Sequence, residues 1–241
     1  MNKKIGIAIP AYNAEKTIEG VWKRIPLKYK KESIIILVDD GSKDNTSEVA
    51  KKLGIKTIKH PKNRGYGGAQ KTGFRYLINK GADVCVLLHS DGQYPPEELD
   101  NLTQPFLNDE ADAVIGSRHL GKKLKEGKMP LYKIIGSKVL TGMLNIGTGL
   151  KITEYHSGYR LYSSKALNAV DFEKIAEEYD FDAEITLQLK DAGMRIKELP
   201  IPTRYAEEVS HLKPFRYGVQ MIKLLMRYWG YKIRGRPFHK R

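Results

Sequence analysis

Short apolar runs alternate with longer amphipathic segments over roughly the first half of this 241-residue chain. The runs predict strands at 5–10, 34–39, 55–59, 84–89 and 113–116. The segments between them predict helices at 15–25, 46–53, 67–80 and 97–107. Such alternation is typical of right-handed βαβ units. The expected fold class is therefore α/β, with helices flanking a mostly parallel central sheet whose strands are buried on both faces.

The pattern changes in the second half of the chain, where a basic, glycine-containing stretch leads into a helical pattern at 129–145. A helix at 183–192, a strand at 195–201 and an amphipathic segment at 217–231 follow. The sequence predicts one domain over 1–215 and a basic amphipathic C-terminal helix and tail over 216–241. This helix could lie in a membrane interface or pack its apolar face on the core, and the pattern fits both.

Composition narrows the class of protein. Hydrophobic residues make up 41% of the chain and charged residues 29%, which is ordinary for a globular protein and argues against disorder. No apolar run approaches the roughly 20 residues that span a bilayer, and Pro10 breaks the first run too soon for a signal peptide. The single cysteine, Cys85, is expected to be a buried thiol. We therefore expect a cytoplasmic protein.

Charge points to an anionic partner. Lys and Arg number 42 against 28 Asp and Glu, which gives a formal net charge of +14. Nucleic acid, an anionic membrane surface and phosphorylated small molecules all satisfy such an excess, and net charge does not choose among them. Sequence motifs must therefore identify which of these partners the chain binds.

Four polar or turn-forming clusters follow predicted strands, and open α/β sheets bind ligands beyond the carboxyl ends of their strands. In the first cluster Pro10 stops the strand, Asn13 can cap a helix, and Tyr12 offers a flat face to a base. The second cluster places Asp39 and Asp40 at a strand end. One of these carboxylates could accept a hydrogen bond from a base or a ribose.

The third cluster, at 63–73, has glycines that permit close backbone approach. Its cations Arg64 and Lys71 suit a diphosphate at a helix N-terminus. The fourth cluster contains His89 and Asp91. A carboxylate at the end of a central strand can hold a hard divalent cation, and His89 is either a metal ligand or a hydrogen-bonded histidine.

Taken in order, these motifs resemble those of the family 2 glycosyltransferases, including the dolichyl- and polyprenyl-phosphate mannose or glucose synthases. The motifs read Pro10-Ala11-Tyr12-Asn13, Val38-Asp39-Asp40-Gly41-Ser42-x-Asp44-x-Thr46, Asn63-Arg64-Gly65-x-Gly67-x-Ala69 and Asp91-Gly92-Gln93-x-Pro95-Pro96-Glu97. The resemblance continues through Gly116-Ser117-Arg118, Ser157-Gly158-Tyr159-Arg160-Leu161-Tyr162, Phe181-Asp182-Ala183-Glu184 and Glu198-Leu199-Pro200-Ile201. It implies a GT-A fold over about residues 1–215, inverting transfer of a sugar from a nucleotide donor, and a divalent cation, Mg²⁺ or Mn²⁺.

The resemblance also implies roles for individual residues. The base and ribose of a UDP- or GDP-linked sugar would be contacted by Pro10, Ala11, Tyr12, Glu15, Asp39 and Asp40. Arg64 and Lys71 would lie near the diphosphate. Asp91 matches the last carboxylate of the family's D-x-D motif, which binds the metal, and Gln93 lies beside it as a further donor contact.

The first carboxylate of D-x-D is replaced by His89 in this chain. In this respect the chain is similar to a subset of the family that reads His-Pro-Asp-x-Gln-Tyr and carries two further segments. The three segments read here His89-Ser90-Asp91-Gly92-Gln93-Tyr94, Met129-Pro130-Leu131-Tyr132-Lys133 and Glu154-Tyr155-His156-Ser157-Gly158-Tyr159-Arg160. The substitution is therefore expected to be a subfamily trait, at a site with less charge to hold magnesium.

The acceptor decides which side chains the reaction needs. A saccharide hydroxyl needs a general base, for which Asp182 and Glu184 are the candidates. A polyprenyl or dolichyl phosphate, with a second pKa of about 6, is already an anionic nucleophile. The catalytic cations Arg118 and Arg160, together with Lys133, would then steer it. The resemblance favours the lipid phosphate, presented at the cytoplasmic membrane face.

Two other classes stay open. A basic module that binds nucleic acid or a membrane surface without catalysis would account for the net charge and for His89. It gives no reason for the density of donor-site residues, so no nucleic-acid partner is expected. A nucleotidyltransferase would need a glycine-rich, basic loop after the first strand, and residues 12–15 are neither.

Overall fold

A computed structural model describes residues 3–120, 131–178, 180–202 and 214–239. The strands in this part of the chain are β1 (Ile5–Ala11), β2 (Ile34–Asp39), β3 (Lys56–Lys59), β4 (Val84–Leu87), β5 (Ala113–Ser117), β6 (Arg160–Ser163) and β7 (Ile196–Pro200). They form one sheet in the order β3-β2-β1-β4-β6-β5-β7. Only β6 runs antiparallel to its neighbours within these residues, so the predicted mostly parallel sheet is confirmed.

Helices cover both faces of the sheet. They are α1 (Ile18–Arg24), α2 (Leu27–Glu32), α3 (Thr46–Lys52), α4 (Tyr66–Asn79), α5 (Leu99–Leu107), α6 (Leu131–Thr148), α7 (Ser164–Ala169), α8 (Phe181–Asp191) and α9 (Pro214–Ile233). Successive strand residues point to opposite faces. Ile7 and Leu37 therefore pack with α1 and α5, whereas Ala8 and Val38 pack with α4 and α8. Cys85 lies in the second of these clusters, where burial raises the pKa of the thiol to about 12.

The first strand does not stop at Pro10 as predicted, but continues to Ala11. Pro10 lies opposite Val38 of β2, while the pairing of β1 with β4 ends at Ala8 and Leu87. In a strand with a parallel neighbour on each side, successive residues form hydrogen bonds alternately to one neighbour and to the other. The N–H that Pro10 lacks would point toward β4, which has already ended at this level of the sheet. No ladder hydrogen bond is lost.

The strand order reverses between β1 and β4. From β1 the chain adds β2 and β3 on one side and then crosses to place β4 on the other. Ligands of open α/β sheets bind in the crevice at such a reversal. The loops that border it carry the first, second and fourth sequence motifs.

Several boundaries and elements differ from the prediction. β4 ends at Leu87, which leaves His89 in the following loop. The elements α2, α7 and β6 are not predicted, because they are short and β6 begins with the charged Arg160. One apolar face of α9 packs on α6 and α8, which confirms one of the two predicted arrangements. Residues 121–130 and 203–213 lie outside the described residues, so the division at residue 215 stays a prediction.

Candidate active site

The loops after β1 and β2 are tied together by hydrogen bonds between side chains and backbone. Asn13 N donates to Ser42 Oγ at 2.9 Å, and Lys43 N donates to Asn13 Oδ1 at 3.0 Å. Ala14 N donates to Thr46 Oγ1 at 2.7 Å. Each loop therefore fixes the backbone of the other at the carboxyl edge of the sheet.

The first loop presents one large side chain to solvent. Tyr12 is 47% exposed, whereas Pro10 is partly buried and Ala11 is buried beneath it. Glu15 turns toward the second loop, where it accepts from the backbone and side-chain nitrogens of Asn45 at 3.1 and 3.2 Å. Of the six residues expected to meet the base and ribose, Tyr12 is the most exposed.

Asp39 is fully buried at the end of β2. Ser42 N donates to its Oδ1 at 2.8 Å, and Ser47 Oγ donates to its Oδ2. Burial alone would raise the pKa of Asp39, but these hydrogen bonds and the nearby Lys59 lower it. Asp39 is therefore an ionised group that shapes the loop from within.

Asp40 organises the loop that follows β3. Its Oδ1 bonds the ring Nδ1 of His60 at 2.6 Å and accepts from Arg64 N at 2.9 Å. Its Oδ2 accepts from Gly65 N at 2.9 Å. The two adjacent aspartates thus hold two different loops, and their direct contact with a nucleotide stays a prediction.

The cations of the third motif have partners within the chain. Arg64 Nη2 bonds Glu177 Oε1 at 2.5 Å. Lys71 is buried, and its Nζ donates to the carbonyl oxygens of Glu173, at 2.8 Å, and of Ile175. A diphosphate contact would require Lys71 to leave these acceptors. In this structure Lys71 has an internal anchoring position, and its contact with a diphosphate stays a prediction.

The glycines of the same motif serve packing as well. A Cβ atom on Gly67 would lie 3.0 Å from Ala176 O, and one on Gly68 would lie 2.6 Å from the Arg64 side chain. Gly65 adopts a φ of 88°, a conformation that favours glycine. The expected close approach is real, but here the approaching group is the segment around residue 176.

His89 lies between two tyrosines at the centre of the carboxyl edge. Its ring centroid is 5.5 Å from that of Tyr66 and 5.1 Å from that of Tyr94. Gly158 lies against the same imidazole, since a Cβ there would be 2.5 Å from His89 Nε2. Gly158 N in turn donates to Tyr94 OH at 2.7 Å. Packing on three sides fixes the histidine ring.

Hydrogen bonding then assigns the protons of this cluster. Tyr66 OH donates to Asp182 Oδ2 at 2.6 Å and lies 3.3 Å from His89 Nε2. Burial raises the pKa of Tyr66 well above its usual range, and Asp182 raises it further, so Tyr66 keeps its proton. The Tyr66 hydroxyl donates this proton to Asp182. Toward His89 the Tyr66 oxygen can therefore act only as a hydrogen-bond acceptor. Nε2 is therefore the ring nitrogen that donates toward Tyr66.

Asp91 stands in a tight turn after His89. Its Oδ1 accepts from Gln93 N at 3.0 Å, Gly92 between them has a φ of 75°, and both polar residues are partly exposed. Among the residues that the structure describes, no three His, Cys, Asp or Glu side chains are grouped to hold a metal ion. Mg²⁺ commonly binds through one or two carboxylates together with substrate phosphates. The single Asp91 carboxylate fits a cation that takes its other ligands from a bound diphosphate.

Arg118 lies beside this cluster and is paired with the fully buried Glu154. Its N donates to Glu154 Oε2 at 2.8 Å and its Nε to Oε1 at 2.9 Å. Burial alone would raise the pKa of Glu154, but Arg118 lowers it. The guanidinium carbon is 5.9 Å from the centre of the Tyr94 ring. A phosphate contact for Arg118 stays a prediction, and the side chain of Lys133 lies outside the described residues.

Arg160 does not have the exposed position that steering an acceptor phosphate would need. It is fully buried and donates to Ser157 O at 2.8 Å, to Thr186 Oγ1 at 2.7 Å and to Tyr155 O at 2.5 Å. Its Nε is also 3.7 Å from Asp182 Oδ1. Its positive charge therefore supports Asp182 from inside the protein.

The two candidate general bases are separated. Asp182 belongs to the cluster with Tyr66, whereas Glu184 is fully buried and pairs with Arg227 of α9. Glu184 also accepts from Gln188 at 3.5 Å. The Glu184 carboxylate is therefore an internal ion-pair partner away from Tyr66, and its role as a general base stays a prediction.

Sequence reasoning missed Tyr66, Tyr94 and Glu154 as members of the site. Both tyrosines lie inside the quoted motifs, Tyr66 at an unspecified position and Tyr94 at the end of the segment that begins with His89, but nothing in the sequence there indicates that they pack on His89. Glu154 is buried, and its pairing across 36 residues with Arg118 has no local signal.

The chain matches the model of the family described as "Glycosyl transferase family 2" over residues 6–171. It is 36% identical over 224 residues to the UDP-N-acetylglucosamine--dolichyl-phosphate N-acetylglucosaminyltransferase of Methanococcus voltae, covering 86% of this chain and 88% of that relative. It is 32% identical over 202 residues to the undecaprenyl-phosphate mannosyltransferase of Micrococcus luteus, covering 80% of each. The chain therefore belongs to glycosyltransferase family 2, and it is a glycosyltransferase.

Solved structures agree on the fold. Glucosyl-3-phosphoglycerate synthase from Mycobacterium tuberculosis, in complex with Mn²⁺, uridine-diphosphate-glucose and phosphoglyceric acid, superimposes with a TM-score of 0.72 at 21% identity. The match covers 95% of this chain and 80% of that one. The predicted GT-A fold is confirmed.

Proposed function

We propose that this glycosyltransferase transfers a sugar, with inversion at the anomeric carbon, from a nucleotide-diphosphate donor to a polyprenyl or dolichyl phosphate. The observation that carries the proposal is the engagement of Asp182. Its Oδ2 accepts the Tyr66 hydroxyl and its Oδ1 lies 3.7 Å from Arg160. A hydroxyl acceptor would have to displace Tyr66 to reach this base, whereas an anionic phosphate needs no proton removed.

The nucleotide-sugar donor would bind in the crevice between β1 and β4. Tyr12 offers a stacking face for the base, and the loop held by Asp40 borders the same edge. Asp91 with Gln93 would hold the divalent cation, Mg²⁺ or Mn²⁺. When bound, such a cation neutralises charge on the departing nucleoside diphosphate. The names of the Methanococcus relative and of the mycobacterial structure support UDP over GDP.

The acceptor class is supported by two relatives whose names specify a dolichyl or an undecaprenyl phosphate. We propose that Arg118 meets such a phosphate, because it lies beside Tyr94 at the same edge as His89. A lipid acceptor also suggests where the enzyme works. No helix in the described ranges is both long and apolar enough to cross a bilayer. We propose a peripheral position on the cytoplasmic face of the cell membrane.

Acceptor chemistry is the direct test. The enzyme should be assayed with UDP- and GDP-linked sugars and Mn²⁺ or Mg²⁺, offering polyprenyl phosphate, the matching polyprenol, or a soluble saccharide. We expect transfer to the phosphate and little or none to the polyprenol, which differs only in lacking the anionic nucleophile. Transfer to the saccharide alone would replace the lipid-phosphate assignment.

Two carboxylates of α8 provide a matched pair of variants. Asp182→Asn and Glu184→Gln each remove a buried charge beside an arginine, Arg160 or Arg227, but only Asp182 lies next to the Tyr66–His89 cluster. We expect both variants to lose stability and both to retain substantial transfer to polyprenyl phosphate. If Asp182→Asn alone abolishes turnover at matched stability, Asp182 is a general base and the acceptor is a hydroxyl.

A further inference from the structure

The Tyr66 hydroxyl lies between Asp182 and His89. It donates to Asp182 Oδ2 at 2.6 Å, and on its other side it lies 3.3 Å from His89 Nε2. Tyr66 belongs to α4, whereas Asp182 belongs to α8 and is only 5% exposed. A group that approaches Asp182 from the side of His89 therefore meets the tyrosine hydroxyl before it reaches the carboxylate.

The second oxygen of Asp182 is turned toward the interior. Oδ1 is buried and lies 3.7 Å from Nε of the fully buried Arg160. Thr186 holds this arrangement, because its hydroxyl accepts from Arg160 Nη1 at 2.7 Å and donates to the backbone oxygen of Asp182 at 2.7 Å. Oδ2 is therefore the oxygen of Asp182 on the side of His89, and it is the oxygen that Tyr66 occupies.

Close packing keeps the tyrosine hydroxyl in this position. A Cβ atom on Gly158 would lie 2.9 Å from Tyr66 OH and 2.5 Å from His89 Nε2, so a larger residue would displace these groups. Tyr94 flanks the same histidine, but its hydroxyl accepts from Gly158 N at 2.7 Å. The two tyrosines are therefore a natural pair for comparison, since both pack on His89 and Tyr66 is the one whose hydroxyl bonds Asp182.

The chemistry of the acceptor determines what this contact does. When a hydroxyl or water attacks, its oxygen bonds the anomeric carbon, and the bond from that carbon to the diphosphate breaks with its electron pair on the leaving group. The proton of the attacking oxygen must then pass to a base. An ionised phosphate forms the same bond without releasing a proton. Engagement of Oδ2 by Tyr66 therefore hinders a hydroxyl or water and does not hinder a phosphate.

We propose that Tyr66 sets the acceptor specificity of the enzyme. Its hydroxyl occupies Asp182 Oδ2 and so keeps this carboxylate from serving as a base for a hydroxyl acceptor or for water. Tyr66 is thus a positioning residue, which acts through Asp182. The proposal rests on the proposed transfer to a lipid phosphate, and it adds that the nucleotide sugar is protected from hydrolysis until that acceptor binds.

The test removes the hydroxyl and keeps the ring. Wild type and Tyr66→Phe are incubated with UDP-N-acetylglucosamine, UDP-glucose or GDP-mannose and Mn²⁺, first without an acceptor and then with polyprenol. Without an acceptor, we expect Tyr66→Phe to release nucleoside diphosphate at least about tenfold faster than wild type. It should also transfer sugar to polyprenol. The double variant Tyr66→Phe/Asp182→Asn should return to the wild-type rate, because the uncovered base is gone.

Tyr94→Phe is the matched control, since it removes a hydroxyl beside His89 that bonds Gly158 N. We expect no acceleration of hydrolysis in this variant. An unchanged hydrolysis rate in folded Tyr66→Phe, or an increase that survives Asp182→Asn, would overturn the proposal. Hydrolysis needs no lipid, so it is measured independently of the acceptor assay above. A wild type that fails to use polyprenyl phosphate would reject the proposed function on its own.

A spectroscopic measurement does not depend on how Tyr66→Phe folds. When 3-fluorotyrosine replaces Tyr66, the hydroxyl is retained and the ¹⁹F resonance reports its hydrogen bond. We expect Asp182→Asn to shift this resonance. Glu184→Gln, which changes the other carboxylate near the start of α8, should leave it in place. The same resonance in wild type and Asp182→Asn would overturn the proposal, because Tyr66 would then not donate to Asp182 in solution.

Discussion

The proposed donor end and the proposed acceptor end of the candidate active site hold their carboxylates in different ways. At the donor end, formed by the loops after β1, β2 and β3, Asp40 accepts from two backbone N–H groups and one histidine. At the acceptor end, formed by residues 117–118, 154–160 and the start of α8, Glu154 and Glu184 pair with arginines.

This difference determines what each end loses when a carboxylate is removed. A backbone N–H without its acceptor loses a hydrogen bond and its solvation, a cost of about 1–3 kcal/mol. An arginine left without its buried partner costs more, about 3–5 kcal/mol, because the remaining charge is poorly solvated. The acceptor end should therefore be the more sensitive to single charge changes, although both ends are equally well connected.

The largest expected effect is on the acceptor end. Glu154→Gln removes the buried charge that neutralises Arg118, so we expect the free energy of unfolding to fall by about 3 kcal/mol. Urea denaturation measures the loss. Glu110→Gln is the control, because the side chains of the Glu110–Lys197 pair are 47% and 43% exposed and an exposed ion pair contributes little to stability. If both variants lost the same free energy of unfolding, the acceptor end would not have the greater sensitivity proposed for it.

A smaller effect is expected at the donor end. Asp40→Ala leaves His60, Arg64 N and Gly65 N without their acceptor, so stability should fall by about 2 kcal/mol. Because the loop after β3 loses its anchor, the affinity for nucleoside diphosphate should fall about tenfold, a change that calorimetry detects. Asp83→Ala, which removes an exposed acceptor of Lys4 N, should change neither quantity appreciably. Unchanged nucleotide affinity in Asp40→Ala would separate this loop from the donor site.

The smallest expected effect is a local loss of stability in the C-terminal tail at acidic pH. Burial alone would raise the pKa of Asp191, but hydrogen bonds from Lys232, His239 and the Phe238 backbone lower it to about 2. A lowered carboxylate pKa stabilises the fold above the unfolded value near 3.8 and ceases to do so as the pH falls toward 2. We expect the tail at 238–239 to become protease-sensitive over that interval. Asp191→Asn should make the tail sensitive already at neutral pH.

The donor end was largely predictable from sequence, for a physical reason. Its hydrogen bonds join strand ends to the loops directly after them, so motifs such as that around Asp39 and Asp40 contain most of the partners. The acceptor end was predicted less well. Arg160 and Glu184 occupy motif positions, but the partners of their buried charges belong to other parts of the chain, such as Thr186 of α8 for Arg160 and Arg227 of α9 for Glu184. A sequence motif specifies the residue type, and the tertiary neighbours decide whether its charge faces a ligand or the interior.

The fold was predicted in the same uneven way. Strands with continuous apolar runs, such as β2, were found with their bounds intact. β6 was missed, since four residues beginning with a buried arginine show neither alternation nor a continuous apolar run. The sequence predicts a strand end at Pro10 because proline has no N–H to donate to a neighbouring strand. Here no hydrogen bond is lost, because β4 ends before it reaches Pro10.

The antiparallel strand β6 also sets an order of assembly during synthesis. Strands β1 to β4 are neighbours in the sheet and can pair as each leaves the ribosome, whereas β5 borders only β6 and β7, both of which are translated later. A nascent chain that ends before residue 160 therefore carries β5 without a partner and β4 with an open edge, which is the kind of edge that recruits foreign strands. We expect ribosome-bound chains of that length to depend on chaperones, and longer chains that expose residues 160–200 to be released from that dependence.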